Sequence, residues 1–74
     1  LEEVRVAPGC ALAGETVREL ELRTPRLRIV GLKRGDARIE LVPDESTQVL
    51  SGDLLVAIGD RESLAKIAQL AACP

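Results

Sequence analysis

The chain has 74 residues, a formal net charge of −2, and no aromatic residue, histidine or methionine. This length suits one small core, so residues 1–74 are expected to form a single domain, which we interpret as a piece of a larger protein because no initiating methionine is present. The acidic balance and the missing aromatic side chains argue against nucleic-acid binding, and no apolar run is long enough for membrane insertion.

The first third of the chain predicts a strand followed by a short helix. Charged and aliphatic residues alternate over residues 3–7, which is typical of a half-buried strand. The stretch "GETVREL", residues 14–20, predicts the helix. Thr16 is suited to cap it, and Glu19, three residues later, completes a capping box.

The middle of the chain predicts a β-hairpin. "LRIVGLK", residues 27–33, is rich in β-formers, and the "RGD" at residues 34–36 indicates a turn. A second strand is expected over residues 37–42, ended by Pro43 because proline cannot donate to a strand ladder.

The stretch "LSGDLLVAIGD" predicts a central strand followed by a helix. The five aliphatic residues 54–58 are expected to be buried on both faces of the sheet. Asp60 is suited to cap the following helix. Apolar residues at helical spacing would then cover the sheet: Leu64, Ile67, Ala68 and Ala71.

The predicted fold is therefore α+β, a small two-layer β-α-β-β-β-α domain in which a four-stranded sheet carries two helices. The helices pack most simply on one face. The other apolar face also needs cover, and a second protomer is the expected source, so a homodimer is predicted.

No residue pattern indicates catalysis, so the chain is not expected to be an enzyme. Cys10 and Cys73 stand at opposite ends without metal-site spacing, and the carboxylates after Pro43 lack calcium-site spacing, so no metal is expected. A disulfide between the two cysteines and two free thiols both remain open, the free thiols in a reducing compartment being the simpler interpretation. The cationic residues between positions 23 and 34 are either solvated or part of a pocket for an anion.

Three segments together resemble the TrkA C-terminal domain, the C-terminal lobe of RCK modules that regulate potassium channels and transporters. They are "ALAGETVRELELR" at residues 11–23, "IVGLKRG" at residues 29–35 and "PDESTQVLSGDLLVAIGDRESL" at residues 43–64. This resemblance covers most of the chain. It implies a four-stranded sheet with two helices, homodimerisation, and attachment to a cytoplasmic part of a cation transport protein.

Some members of that family bind cyclic di-AMP between two such lobes. The matching positions are Leu22, Arg23, Ile29 and Pro43, and Arg28 stands where the family commonly has a small polar residue. The resemblance implies the first four as ligand contacts, and Arg28 is added to them as a candidate although it departs from the family pattern; no other cofactor is expected.

The predicted function is that of a cytoplasmic regulatory module of a potassium or other cation transport protein, acting as a homodimer and binding an anionic ligand such as cyclic di-AMP. Two alternatives remain open. The module is either a dimerisation lobe without a ligand, or the same fold attached to a non-potassium transporter or a transcription regulator.

Overall fold

In the part of the chain that the structure describes, two helices and four strands follow one another in the predicted order β-α-β-β-β-α. The structure, a computed structural model, describes residues 1–10 and 12–72. The elements are β1 (Glu2–Arg5), α1 (Val17–Arg23), β2 (Leu27–Lys33), β3 (Glu40–Leu41), β4 (Leu54–Gly59) and α2 (Arg61–Ala71). The predicted α+β class and element order are confirmed.

The strands form one antiparallel sheet in the order β1-β4-β2-β3. The aliphatic strand β4 lies between β1 and β2, so its predicted central position is confirmed. The pairing of β2 with β4 shifts between Ile29 and Gly31, which places a bulge at Val30. Because a bulge changes which residues face each side of a sheet, Ile29 and Leu32 can both be buried although they are three residues apart.

Both helices begin at the caps that the sequence indicates. The Glu19 N–H donates to Thr16 Oγ1 at 3.1 Å, and the Thr16 N–H donates to Glu19 Oε1 at 2.8 Å, which completes the capping box. Helix α1 lies three residues later than predicted, because Thr16 has the extended backbone of an N-cap, with φ −84° and ψ 162°, so that Val17 is the first helical residue. Asp60 caps α2 by accepting the Ser63 N–H at 2.8 Å.

The two helices lie on the same face of the sheet, as predicted. Leu20 of α1, Ile67 of α2 and Leu55 of β4 are all 0% exposed and belong to one apolar cluster. We call this side of the sheet the inner face. Burying aliphatic side chains there stabilises the fold by roughly 25 cal/mol for each Å² removed from water.

On the opposite side of the sheet, the outer face, the residues of β4 are apolar and are not covered by the described elements. Leu55 and Ala57 are buried, whereas Ile58 is 42% exposed and Val56 only half-buried. The prediction that β4 is buried on both faces is therefore wrong for this single protomer. Ile39 also lies on the outer face, since its Cδ1 atom is 3.1 Å from the position that a Cβ on Gly31 would take.

The second hairpin strand is much shorter than predicted. Of the predicted residues 37–42, Glu40 and Leu41 pair with β2. Residues 37–39 still belong to the turn and loop after β2, where the Ala37 N–H donates to the Arg34 carbonyl at 3.0 Å, and Val42 turns to a left-handed φ of +47°. Cys10 is disulfide-bonded, so the expectation of a free thiol there is wrong, and Cys73 lies outside the described residues. Neither described helix has the length and hydropathy needed to cross a membrane. No group of three or more potential metal ligands occurs in the described ranges.

Candidate ligand-binding cleft

A cleft of about 390 Å³ opens between α1, strand β2 and the segment that follows β3. Its lining combines aliphatic side chains with three charged ones. The lining residues are Val17, Glu21, Arg28, Ile29, Val30, Val42, Pro43, Glu45 and Ile58. A largely apolar cleft with a few polar groups is the usual composition of a site for a small organic ligand.

The base of the cleft is fixed by a hydrogen bond between α1 and β2. The Ile29 N–H donates to Glu21 Oε2 at 2.9 Å. Strand β3 pairs only with Gly31 and Leu32, so its two residues do not reach Ile29. The Glu21 carboxylate takes the place of a strand partner, and its side chain is only 19% exposed.

The charges of the cleft are one cation and two carboxylates. Arg28 Nη1 lies 3.8 Å from Glu21 Oε1, too far for a good hydrogen bond, and the Arg28 side chain is 75% exposed. The negative charge of Glu45 is balanced by Arg18, which lies outside the lining and has its Nη1 3.2 Å from Glu45 Oε1. Arg28 therefore keeps donors for an incoming anion, while Glu21 keeps acceptor capacity for a ligand N–H.

One wall of the cleft has an unusual backbone. Val42 is 78% exposed and adopts a φ of +47°, which is rare for a β-branched residue. Its N–H donates to the Val30 carbonyl at 2.9 Å, and this bond ties the wall to the bulge. Strained backbone of this kind tends to occur at functional sites, where surrounding contacts hold it in place.

The cleft brings together three of the five residues that the sequence predicted. Arg28, Ile29 and Pro43 line it. Leu22, which is 71% exposed, and Arg23 lie outside the lining. Arg23 instead forms an ion pair with Glu15, with Nη2 2.7 Å from Oε2, at the end of α1.

The other predicted cations do not join Arg28 in one pocket. Arg26 pairs with Asp60, and Arg34 pairs with Asp53, each away from the cleft. The predicted alternatives were solvated residues or an anion pocket; Arg23, Arg26 and Arg34 are instead held in separate ion pairs, and Arg28 is the cation that reaches the cleft.

Sequence reasoning missed Glu21, Val42 and Ile58 as cleft residues. Glu21 lies four positions after Val17, which places both on one side of α1 and is a usable signal. Ile58 is brought to Arg28 only by the register of β2 with β4, which no local pattern indicates.

The family model of the TrkA-C domain matches residues 1–72. The chain belongs to the TrkA-C domain family. An uncharacterised transporter of Rhodopirellula baltica is 45% identical over 56 residues, which is 74% of this chain and 10% of that protein. The chain therefore spans about one-tenth of this curated relative.

Solved RCK_C domains have the same fold as this TrkA-C domain. The RCK_C domain dimer of S. agalactiae BusR with cyclic di-AMP matches with a TM-score of 0.75, 19% identity, and coverage of 89% of this chain and 87% of that chain. The RCK C domain of the potassium transport protein KtrA with cyclic di-AMP matches with a TM-score of 0.74 and 23% identity, and the match covers 92% of this chain and 78% of that chain. S. agalactiae BusR with its busAB promoter DNA matches with a TM-score of 0.79 and 18% identity, and the match covers 93% of this chain and 34% of that chain. The chain is thus a regulatory domain of the TrkA-C/RCK_C type.

Proposed function

We propose that this TrkA-C domain is the cytoplasmic regulatory module of a membrane protein that transports K⁺ or another cation, and that it binds an anionic dinucleotide such as cyclic di-AMP between two protomers. The observation that carries the proposal is the cleft that unites Arg28, Ile29 and Pro43. The transporter relative supports the attachment to transport, and the ligand named for two structures of the same fold supports the dinucleotide.

The chemistry of the cleft suits a nucleotide. The exposed Arg28 guanidinium has the planar set of donors that binds phosphate oxygens at two points. Ile29 and Pro43 offer aliphatic surface to a base, and Glu21 offers an acceptor to an exocyclic amine. The volume of about 390 Å³ is at the small end of the range for ligand sites, so we assign one nucleotide half to each cleft.

The outer face supplies a route to a two-fold dimer. Ile58 lines the cleft and also belongs to the uncovered outer face beside Val56. A second protomer that covers this face would bring two clefts together around a two-fold axis, as a two-fold symmetric ligand requires. Leu22 and Arg23 lie outside the cleft of their own protomer, so in this proposal they contact the ligand only across the dimer.

Regulation then follows from differential binding. A ligand held between two protomers favours the dimer geometry that closes both clefts on it. The attached transport domain is biased to the extent that its open and closed forms prefer different dimer geometries. A scaffold that dimerises without a ligand would use the same outer face but would gain nothing from Arg28.

Calorimetry with cyclic di-AMP tests the proposal. We expect the wild-type chain to bind one ligand per two protomers, and Arg28→Ala to weaken binding by roughly tenfold or more, because a charge-assisted hydrogen bond contributes about 1.5–3 kcal/mol. Arg38→Ala removes an exposed arginine outside the cleft and is the matched control. If the wild-type chain does not bind cyclic di-AMP, the proposed ligand is wrong and the remaining function is that of a scaffold that dimerises without a ligand.

A parallel titration of Arg23→Ala tests the contact across the dimer. Weaker binding by this variant, with the same helix content as the wild type, places Arg23 at the ligand. Unchanged binding restricts its role to the ion pair with Glu15.

A further inference from the structure

Among the residues that the structure describes, strand β1 forms an open edge of the sheet. It pairs with β4 on one side only, as the strand order β1-β4-β2-β3 requires. Just beyond β1, the Val6 N–H donates to the Asp53 carbonyl at 2.9 Å, on the β4 side. Backbone groups alternate in direction along an antiparallel strand, so those of Val4 point to β4 and those of Glu3 and Arg5 point to the open edge.

The side chains of Glu3 and Arg5 carry opposite charges on one face of this edge. Their register partners on β4 are Val56 and Leu54, so both side chains lie on the outer face. Both residues are exposed. Charged residues on an edge strand normally discourage pairing with another strand. The order of these two charges permits one specific pairing, however.

We propose that a second copy of this chain pairs with the β1 edge, strand β1 against strand β1, antiparallel, about a two-fold axis at Val4. In this register Glu3 lies opposite the partner's Arg5, and Arg5 lies opposite the partner's Glu3. The backbone groups of both residues then form four hydrogen bonds across the axis. Opposite charges placed directly across two strands stabilise the pairing.

Neighbouring registers are excluded by the same charges. A shift of two residues along the edge places Glu3 opposite the partner's Glu3 or Arg5 opposite the partner's Arg5, and like charges directly opposite are destabilising. A shift of one residue misaligns donors and acceptors. The charge order along β1 therefore selects a single self-complementary register.

The inner face beside β1 fits the same contact. A groove of about 420 Å³ runs along α2 next to the strand, and it is lined by Glu2, Arg61, Leu64, Ala65 and Ala68. The alanines allow a second helix to approach closely, and Glu2 and Arg61 place opposite charges in the lining. Pairing through β1 would produce a continuous eight-stranded sheet, with both copies of α2 meeting over the axis.

This surface is separate from the ligand cleft. Strand β1 is the first strand in the sheet order, whereas the cleft lies beside β2 and the segment after β3 at the other edge. A protomer with both contacts can join larger assemblies than a dimer. The β1 contact does not depend on the proposed ligand, so either proposal can be wrong without affecting the other.

Complementary charge reversals test the contact in the 74-residue chain by sedimentation velocity. Glu3→Arg creates two cations on the edge and Arg5→Glu creates two anions. We expect each variant alone to lose the β1 contact, so that the mass of the assembly falls by half or more. An equimolar mixture of the two should restore the wild-type mass, because each edge then faces its opposite. The double variant E3R/R5E should also keep the wild-type mass.

Arg38→Glu is the control, since it changes the net charge as Arg5→Glu does at an exposed position away from β1. A wild-type chain that remains monomeric, single variants that keep the wild-type mass, or a mixture that stays at the lower mass would each overturn the proposal. Circular dichroism checks folding, and if a single variant fails to fold, the double variant decides. Titration of the Arg5→Glu variant with cyclic di-AMP measures ligand binding in the cleft separately from the β1 contact.

Discussion

The guanidinium of Arg34 binds the carboxylate of Asp53 at two points, with Nε 3.0 Å from Oδ1 and Nη2 2.8 Å from Oδ2. Asp53 is only 1% exposed, and its Oδ2 also accepts the Leu50 N–H at 2.8 Å. Nη2 of Arg34 additionally donates to the Gln48 carbonyl at 2.9 Å. This network connects the end of β2 to the turn that leads into β4.

Removing the arginine should be costly because it leaves a buried carboxylate without its cation. We expect Arg34→Ala to lower the free energy of unfolding by about 2–3 kcal/mol, less than the ~3–5 kcal/mol of a fully buried pair because Arg34 is itself partly exposed. Urea denaturation measures this change. Arg38→Ala, at an exposed neighbouring position, should alter stability by less than about 0.5 kcal/mol. Equal effects of the two substitutions would contradict the structural role of the pair.

The same pair predicts how stability depends on pH. Burial would raise the pKa of Asp53, but the hydrogen bonds from Arg34 and the Leu50 N–H and the Arg34 charge outweigh it and hold that pKa below its ordinary value. A carboxyl whose pKa is lower in the folded state stabilises the fold above its unfolded pKa of about 3.9, and this contribution is lost as the pH falls through the folded pKa. Arg34 remains charged throughout, because the ordinary pKa of a guanidinium lies far above this range and the hydrogen bond with Asp53 raises it further.

We therefore expect urea midpoints to fall steeply below about pH 4 in the wild type. The Asp53→Asn variant should be less stable than the wild type at neutral pH, but its urea midpoint should fall less than that of the wild type as the pH is lowered. The remaining acid loss is assigned in part to Asp60, whose pKa is lowered by its hydrogen bonds with Ser63. If the urea midpoint of Asp53→Asn falls with pH as steeply as that of the wild type, Asp53 is not the source of the acid sensitivity.

The strained wall of the cleft gives a substitution that should stabilise the protein. Val42 is exposed and left-handed, a conformation that costs a non-glycine residue roughly 1–2 kcal/mol and that asparagine tolerates better. We expect Val42→Asn to raise the unfolding free energy by about 1 kcal/mol. Leu41→Asn is the control, because Leu41 is equally exposed but lies in β3. Stabilisation by both substitutions, or by neither, would contradict the assignment of strain to Val42.

Local chemistry was predictable from the sequence, whereas the cleft required tertiary register. The Thr16–Glu19 capping box depends on residues three apart, so the pattern alone predicts both of its hydrogen bonds. The cleft depends on the bulge at Val30 and on the bond from the Ile29 N–H to Glu21. The spacing of Glu21 from Val17 indicates the side of α1 on which it lies, but it predicts neither the bulge nor this bond. The aliphatic run in β4 was misjudged for a related reason. Continuous apolarity shows that both faces avoid water, and it does not tell whether helices or another chain provide the cover.

Gly59 ends β4 at a point where another backbone segment approaches closely. A Cβ placed on Gly59 would lie 2.7 Å from the carbonyl oxygen of Arg26, a backbone atom that cannot rotate away. Arg26 itself has a φ of +64° and pairs with Asp60, so the turn before β2 is already constrained. We expect Gly59→Ala to lower the unfolding free energy by about 1–3 kcal/mol through this overlap.

Gly31→Ala is the comparison for that substitution. A Cβ on Gly31 would meet the flexible end of Ile39, its Cδ1, at 3.1 Å, and the Cβ and Cγ2 of Val56 at 3.2 and 3.3 Å, all above the 2.7 Å overlap at Gly59. Side chains on the uncovered outer face can shift by a few tenths of an ångström, so the loss should be smaller than for Gly59→Ala. Thermal or urea unfolding of the two variants measures the difference. If Gly59→Ala proves the milder change, the close approach of the Arg26 carbonyl does not constrain the end of β4.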